Sequence, residues 1–295
     1  SVNTGRIGRK RGLAGRLLAE SLARDVEAGA AAAGLGIFEQ GYYDRLGFGT
    51  TVYERLIAFD PATLIDFGIR DQPSRIGTED YAAVHSSRLS RMRRHGSVNL
   101  HSEGHTRADM LFEKKSFGLG FRNGDDIEAM LWINPKNVES GPYSIWWYTF
   151  REWNDIARVL SLIKSLEEQV QSVTMREPCY LQMQDFLTKP LRTQAMSRGS
   201  THTQQNRAVA FHQIRICDLE RTVAAVSVPH EDIAFNLTVH DPIEAFLPEK
   251  SVWRGCSGTY TVTFGEVSHC RPGHSPGLPL MEADIGSFTR LWCGA

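Results

Sequence analysis

The segment RKRGLAGRLL at residues 9–18 decides how the sequence around it is interpreted. Three basic residues stand before Gly12, and the leucines that follow recur at helical spacing. The first N–H groups of a helix lack intrahelical partners and carry a partial positive charge. Gly12 and the small Ala14 let the backbone approach a phosphate pair, and the basic side chains add charged hydrogen bonds. The pattern R-x-x-G-x-A therefore predicts a pyrophosphate cradle, with a solvated basic helix start as the alternative.

The composition argues against several classes of protein. The 295 residues include 33 basic and 34 acidic side chains, and a net charge of −1 argues against nucleic-acid binding by bulk charge. The sequence has no apolar run of about 18 residues that would predict a membrane span, and no signal-peptide pattern. Five cysteines without C-x-x-C spacing favour reduced thiols in the cytoplasm. They are Cys179, Cys217, Cys256, Cys270 and Cys293.

The residues around the cradle predict a helix followed by two strands. Apolar residues on one face predict a helix over 12–28, and a short buried strand is predicted over 31–38. One or two helical turns are expected over 42–49, before a β-branched and aromatic strand over 50–59. Asp60-Pro61 should end that strand.

The middle of the chain alternates predicted helices and strands. Helices are expected over 78–94 and 153–172, the second being the longest, and strands over 111–122, 127–133 and 143–150. The polar stretch 192–207 has few large apolar residues and is predicted to be a linker or an exposed loop.

The last part predicts an α+β module with an antiparallel sheet. Alternating apolar residues predict strands at 208–216, 232–241 and 258–267. A short helix is expected at 217–226 and a closing helix at 284–294.

A second motif, FEQGYYDRLGFGT at residues 38–50, follows the predicted cradle. The predicted order is a strand, the cradle, a helix, a second strand and then a turn with the pattern Y-x-R-x-G-F-G (Tyr43–Gly49, the tyrosine turn). This order resembles the core of the GCN5-related N-acetyltransferases, in which acetyl-CoA lies between two splayed parallel strands. The turn resembles one branch, the enhanced intracellular survival (Eis) acetyltransferases, and the resemblance extends over all 295 residues.

The resemblance implies an α+β fold of tandem acetyltransferase-like domains followed by a sterol-carrier-protein-2-like (SCP2-like) domain. The matching ranges are 1–59 for the C-terminal part of the catalytic domain and 60–207 for a second, non-catalytic domain. Residues 208–295 match the SCP2-like domain, which we expect to be incomplete. Compared with the family, the sequence is expected to be truncated at both ends. The family also implies a homo-oligomer, specifically a hexamer.

The resemblance assigns a catalytic role to Tyr43 as the general acid that protonates the departing CoA thiolate. A phenol with a pKa of about 10 suits that proton transfer. Tyr42 is the weaker alternative, and packing in the core is the alternative role for either ring. The family's general base is its own C-terminal carboxylate, and Ala295 does not match that position.

The resemblance also assigns residues to the acetyl-CoA site. The end of the first splayed strand would pair with the acetyl and pantetheine amides, the cradle would hold the pyrophosphate, and the end of the second strand would lie against the cofactor arm. The matching positions, in that order, are Val2, Asn3 and Thr4; Arg9, Lys10, Arg11, Gly12, Leu13, Ala14 and Gly15; Phe38 and Glu39.

The implied activity is acetyl-CoA-dependent N-acetylation of a primary amine by direct attack in a ternary complex. An aminoglycoside-like polyamine or a protein lysine is the expected acceptor, without a metal or a covalent intermediate. The alternative is a non-catalytic scaffold that binds a lipid or another apolar ligand through its SCP2-like domain.

Three further motifs contain basic residues or possible metal ligands. HSEGH (101–105) and SHCRPGH (268–274) carry possible metal ligands, but their glycines and proline predict exposed loops or turns. RLSRMRRHG (88–96) predicts a basic helical face, either solvated or facing an acidic partner or another subunit.

Overall fold

The computed structural model describes residues 4–37, 39, 41–92, 102–178 and 181–295. Their packing divides the chain into two compact units, one made of Ser1–Tyr53 with Ala210–Ala295 and the other of Glu54–Val209. Most of the two outer predicted segments thus belong to the first unit. The assignment of segments 1–59, 60–207 and 208–295 to three family domains stays a prediction.

The described residues contain six α-helices separated mostly by runs of strands. The helices are α1 (Leu13–Glu27), α2 (Tyr81–Ser90), α3 (Glu103–Phe112), α4 (Trp153–Lys164), α5 (Leu219–Ala224) and α6 (Ile285–Trp292). The strands are β1 (Ala32–Gly36), β2 (Gly49–Thr50), β3 (Glu54–Phe59), β4 (Ser74–Ile76), β5 (Phe117–Asn123), β6 (Asp126–Pro135), β7 (Tyr143–Thr149), β8 (Val173–Arg176), β9 (Gln194–Ala195), β10 (Thr203–Val209), β11 (His212–Ile216), β12 (Ile233–His240), β13 (Gly258–Phe264), β14 (His269–Pro272) and β15 (Leu280–Asp284).

The first unit contains two small sheets. In one, β11 lies between β1 and β2 and pairs antiparallel with both, so a late segment of the sequence forms the centre of this sheet. The other has the order β14-β13-β12-β15, with only the β12–β15 pair parallel. Leu237, Val239 and Val262 turn inward as predicted and pack with residues of α5 and α6, whereas Ile233, predicted to face inward, is 48% exposed.

The second unit contains an eight-stranded sheet with the order β4-β5-β6-β7-β8-β3-β10-β9. All neighbours are antiparallel except β7 and β8. These two strands pair only at Tyr143–Val173 and Ser144–Thr174, and the remainder of each strand is unpaired with the other. Because α4 connects them along the chain, this unit has a crossover between two parallel strands that pair only at their beginnings. The apolar stripe of α4 is buried in the core of this unit.

The predicted exposed loop over 192–207 is only partly present. Residues 196–202 form a mostly exposed loop, but residues 194–195 form β9 and residues 203–207 lie in β10, which pairs with β9 on one side and with β3 on the other. Gln204 is buried, and its amide donates a hydrogen bond to the Pro190 carbonyl at 2.7 Å. Strand pairing satisfies main-chain groups whatever the side chains are, so a polar stretch can still form edge strands.

Several predicted boundaries also differ. The strand expected over 208–216 is interrupted between β10 and β11. The helix expected over 153–172 ends at Lys164, and α1, with 15 residues, is longer than α4. The strand expected from residue 111 begins at Phe117, because α3 extends to Phe112. The other predicted helices and strands are present, with shifted ends.

The two histidine-containing motifs lie largely in a helix and a strand rather than in loops, although most of their described residues are exposed as predicted. Within HSEGH, Ser102 caps α3 and the helix begins at Glu103, while His101 lies outside the described residues. Most of SHCRPGH forms β14, a strand of the four-stranded sheet, and Cys270 within it is buried. In the parts of the chain that the structure describes, no three His, Cys, Asp or Glu side chains cluster as a metal site would require. In those same parts, no helix has both the length and the apolar character needed to cross a bilayer.

We expect Cys293 to be alkylated first among the four described cysteines. These four are free thiols, and Cys293 is partly exposed while the other three are buried. Burial raises the pKa of the Cys217 and Cys270 thiols to about 11 and that of Cys256 to about 12, so few thiolates form at pH 8. Iodoacetamide labelling of the native protein followed by mass spectrometry checks this order. Equal labelling of Cys256 and Cys293 before unfolding would contradict it.

Candidate functional site

The start of α1 has the features of an anion-binding helix terminus. Gly12 is the N-cap with φ +72°, a left-handed conformation that favours glycine, and no side chain caps the helix. The first intrahelical hydrogen bond runs from the Arg16 N–H to the Gly12 carbonyl at 3.2 Å. The N–H groups of Leu13, Ala14 and Gly15 precede it, so they are the terminal donors of this helix.

The charge at this terminus is positive. No acidic residue lies in the first turn of α1, and the exposed cations next to it are Arg9, Lys10, Arg11 and Arg16. Negatively charged groups are stabilised at such a position by the helix dipole and by the side chains together.

Gly15 has a packing role in addition to its place in the predicted cradle. It is buried, and a side-chain carbon there would lie 3.0 Å from a ring carbon of Phe246. The absence of a side chain thus lets α1 approach the segment Pro242–Phe246. The residue's predicted contact with a pyrophosphate stays a prediction.

The tyrosine turn begins with Tyr43 and continues as a single 3-10 turn, Asp44–Leu46, which ends at Gly47 with φ +79°. The Leu46 N–H donates to the Tyr43 carbonyl at 2.8 Å, which closes the turn. Tyr43 is 8% exposed, and its ring packs edge-on against those of Tyr42 and Phe48. Tyr43 is therefore a core residue, whatever chemistry its hydroxyl performs.

The surroundings of Tyr43 favour the neutral phenol. Burial raises the pKa of Tyr43 above its ordinary value of 10.0, and the nearby Tyr42 raises it further. The hydroxyl is therefore protonated at neutral pH, which is the form that a general acid requires.

The two glycines of the Gly-Phe-Gly step allow close approach by distant parts of the chain. A side chain at Gly47 would collide with the guanidinium of Arg215 and with Ile285. One at Gly49 would collide with the backbone carbonyl of Gly286. The motif is thus explained by packing against β11 and α6 as well as by turn geometry.

One hydrophobic cluster joins the middle of α1 to the tyrosine turn. α1 contributes Ala19, Leu22 and Ala23, and the tyrosine turn contributes Tyr43, Leu46 and Phe48. Cys217, Ile243 and Leu247 complete the cluster. The helix that carries the cradle and the turn that carries the tyrosine therefore pack on a shared core.

The other predicted cofactor residues are placed as follows. Thr4 is half-buried in the segment before α1, and Glu39 is exposed beyond β1. Val2, Asn3 and Phe38 lie outside the described residues. The contacts assigned to all five stay predictions.

Sequence reasoning missed the polar residues of β11. Gln213 and Arg215 are fully buried and reach the tyrosine turn, where the Gln213 amide donates to Asp44 at 2.6 Å and to Thr50 at 3.1 Å. The pattern HQIRI alternates polar and apolar residues, which is typical of a strand with one solvated face. A solvated polar face and a polar face buried against a turn produce the same alternating pattern, so the sequence does not distinguish them.

The start of α4 differs from that of α1. This helix follows β7, the first of the two parallel strands in the second unit, and its first turn contains Asp155. The buried Asp155 carboxylate accepts hydrogen bonds from the N–H groups of Arg151 at 3.1 Å and Glu152 at 3.3 Å. A carboxylate already occupies this helix start, so a phosphate there would face a like charge.

The basic motif at 88–96 is not simply a solvated face. Arg88 is largely buried, stacks over the Trp147 ring at 4.4 Å and pairs with Asp109 at 3.7 Å. Its hydrogen bond to Thr106, 2.9 Å long, adds to this packing inside the second unit. Residues 93–96 lie outside the described residues.

Comparisons with known proteins identify the fold. No model of a known protein family matches the sequence, and no curated protein matches it significantly. Among solved structures, a probable N-acyltransferase from Enterococcus faecalis V583 is similar, with a TM-score of 0.71 and 15% identity over 97% of this chain and 68% of that one. A GCN5-related N-acetyltransferase from Kribbella flavida has a TM-score of 0.70 and 14% identity, over 100% of this chain and 68% of the other. Eis1 from Mycobacterium abscessus has a TM-score of 0.68 and 15% identity, over 98% of this chain and 70% of the other.

These likenesses show that the chain has a mixed α+β fold of the GCN5-related acetyltransferase type. The predicted fold is confirmed at that level. At 14–15% identity the comparison concerns the fold alone.

Proposed function

We propose that the protein is an acetyl-CoA-dependent N-acetyltransferase of the Eis-like branch, acting on a primary amine. The observation that carries the proposal is that one unit contains both an uncapped, basic helix start and a buried, protonated tyrosine, and that the middle of α1 and the tyrosine turn share one hydrophobic cluster. Transfer from a thioester on a pyrophosphate carrier requires an anion site and a general acid.

The proposed roles follow the described geometry. The N–H groups of Leu13, Ala14 and Gly15 and the exposed cations before them would bind the pyrophosphate of acetyl-CoA. The flanking predicted residues would lie along the rest of the cofactor; they are Val2, Asn3, Thr4, Phe38 and Glu39.

The proposed reaction is a direct transfer. The neutral amine nitrogen forms a bond to the acetyl carbon, and the carbon–sulfur bond of the thioester breaks. The departing sulfur takes the proton of Tyr43, and the phenolate is reprotonated through solvent by the proton that the amine releases. The burial of Tyr43 supports this role because it keeps the proton on the phenol until the sulfur needs it.

We further propose that the second unit is an acetyltransferase-like domain that does not bind acetyl-CoA. Its two parallel strands pair only where they begin, which supports the acetyltransferase likeness. Asp155 in the first turn of α4 supports the loss of the pyrophosphate site, since its negative charge would repel a phosphate at this helix start. The SCP2-like assignment of 208–295, the hexamer, the cytoplasmic location and an aminoglycoside-like or lysine acceptor belong to the same proposal.

We expect acetyl-CoA to stabilise the protein through the cradle. A ligand at 100 times its Kd adds about 2.7 kcal/mol to the free energy of unfolding, which a thermal shift detects. The variant Arg9→Gln/Lys10→Gln/Arg11→Gln should bind acetyl-CoA at least about tenfold more weakly, because hydrogen bonds from charged donors are lost. Release of free CoA thiol with a panel of primary amines then measures the transfer itself.

The control for this experiment removes the same charge elsewhere in the unit. Arg24, Lys250 and Arg271 are exposed, and replacing all three by glutamine should leave acetyl-CoA affinity nearly unchanged. Equal loss of acetyl-CoA affinity in the two triple variants would show a general charge effect and would contradict the assignment of the cradle. If saturating acetyl-CoA does not stabilise the protein, the proposed function is wrong.

A further inference from the structure

A buried arginine lies beneath the tyrosine turn. The Arg215 side chain is 0% exposed, and its Nη1 donates to the Leu46 carbonyl oxygen at 2.6 Å. Its Nη2 donates to the Asp241 carboxylate, whose side chain is also 0% exposed. The guanidinium carbon lies 5.3 Å from the centre of the Trp253 ring, within the range of a cation–π interaction. The two ends of the guanidinium thus link the turn to a second buried anchor.

That anchor is fixed by backbone groups. The Asp241 carboxylate accepts hydrogen bonds from the N–H of Ile243 at 3.1 Å and of Cys256 at 2.7 Å. Gly255, with φ +93°, leaves room for it, because a side-chain carbon there would lie 2.6 Å from Asp241 Oδ2. The carboxylate is held from two sides, so it fixes the direction of the guanidinium.

The arginine reaches the turn at a point coupled to the tyrosine. Its acceptor is the carbonyl of Leu46, and the N–H of the same residue donates to the Tyr43 carbonyl at 2.8 Å. Gln213, two residues earlier on the same face of β11, holds Asp44 and Thr50. β11 therefore hydrogen-bonds to the turn at Asp44 and Leu46, and to Thr50 immediately after it.

Stability alone is a weak reason for this arrangement. Burying two charges costs desolvation energy, and apolar replacements of such pairs are often neutral or stabilising. Arg215 Nε and Gln213 Oε1 have no hydrogen-bond partner among the described residues, which adds to the cost. A planar group with several fixed donors is suited instead to holding two acceptors in one geometry.

We propose that Arg215, anchored by Asp241, is a positioning residue that fixes the tyrosine turn, so that the Tyr43 hydroxyl keeps one place relative to the cofactor. The catalytic part of this inference rests on the proposed function. Arg215 acts through the Leu46 carbonyl and is not itself a catalytic residue.

The test compares Arg215→Lys and Arg215→Met with Val262→Ala. Lysine keeps the charge but lacks the planar fork that reaches both acceptors. If the methionine variant does not fold, the lysine variant alone provides the test. Val262 is fully buried in the four-stranded sheet, so its truncation destabilises the same unit without removing a contact to the turn. All variants are studied at a temperature at which each is folded.

Two readouts report on positioning. Amide hydrogen exchange in the tyrosine turn should be about ten- to a hundredfold faster in the Arg215 variants than in Val262→Ala, the range implied by loss of a charged hydrogen bond. For acetyl transfer, kcat should fall about ten- to a hundredfold while the KM for acetyl-CoA changes by less than about threefold, because the cradle lies on α1. Arg215→Lys should retain more of kcat than Arg215→Met.

Failure of this inference and failure of the proposed function give different results. Turn exchange and kcat equal to those of Val262→Ala would overturn the positioning role even if the protein is an active acetyltransferase. A protein that transfers no acetyl group from acetyl-CoA would overturn the proposed function, whereas full kcat in Tyr43→Phe would overturn only the general-acid role of Tyr43. The exchange measurement would still decide whether Arg215 fixes the turn.

Discussion

Replacing Tyr43 by phenylalanine should lower the kcat of acetyl transfer by about a hundredfold or more, because general acid catalysis contributes about 10²–10⁴-fold. The phenyl ring keeps the edge-on packing with Tyr42 and Phe48, so the turn should remain folded. Only the proton donor is lost, and the KM for acetyl-CoA should change little. Steady-state kinetics, with the thermal midpoint as the folding control, measure the effect.

The pH dependence gives an independent check on the same residue. Burial raises the pKa of Tyr43 above 10.0, and Tyr42 adds to the rise, so a fall of kcat at high pH should begin only above about pH 10. Tyr42→Phe removes the contribution of Tyr42 and should move that fall to lower pH. Loss of kcat in Tyr42→Phe with full kcat in Tyr43→Phe would instead assign the proton transfer to Tyr42.

Replacing Asp241 by alanine should destabilise the protein by about 3–5 kcal/mol, because it leaves Arg215 charged, buried and without its carboxylate partner. Two backbone N–H groups, those of Ile243 and Cys256, lose their acceptor as well. Chemical denaturation, followed by a probe in the first unit, measures the free energy of unfolding.

Two further variants make the result specific to the buried pair. Glu244 pairs with Arg254 at the surface, and Glu244→Gln should cost less than about 1 kcal/mol. The double variant Arg215→Met/Asp241→Leu should recover the part of the stability loss that comes from the unpaired charge, but not the part that comes from the Ile243 and Cys256 N–H groups, which still lack an acceptor. It should still show a low kcat, because the Leu46 carbonyl is no longer held. Equal losses for Asp241→Ala and Glu244→Gln would contradict a buried ion pair.

The sequence predicted the parts of the site that local patterns specify. Gly12 and the leucine spacing predict where α1 starts, and the glycines of the tyrosine turn predict that turn. Such elements depend on residues a few positions apart, so their signals stay within the segment.

The rest of the site depends on contacts between segments far apart in the chain. Gly47 and Gly49 predict a turn, but the reason for both glycines lies in Arg215 and Gly286, which the turn's own sequence does not reveal. Polar residues in β10 and β11 favour a loop or a solvated face until their partners are known. The partners are β3 for one strand and the tyrosine turn for the other.

The central position of β11 between β1 and β2 determines when their sheet can form during synthesis. Ala32 pairs with Ile216, so the strand that joins β1 to β2 is synthesised only after the whole of the second unit has been made. Contacts between residues so distant in sequence close slowly and expose unpaired strand edges meanwhile. On the proposed function, a ribosome-bound chain from which α1 and the tyrosine turn have emerged should therefore show no acetyl transfer until β11 has emerged as well.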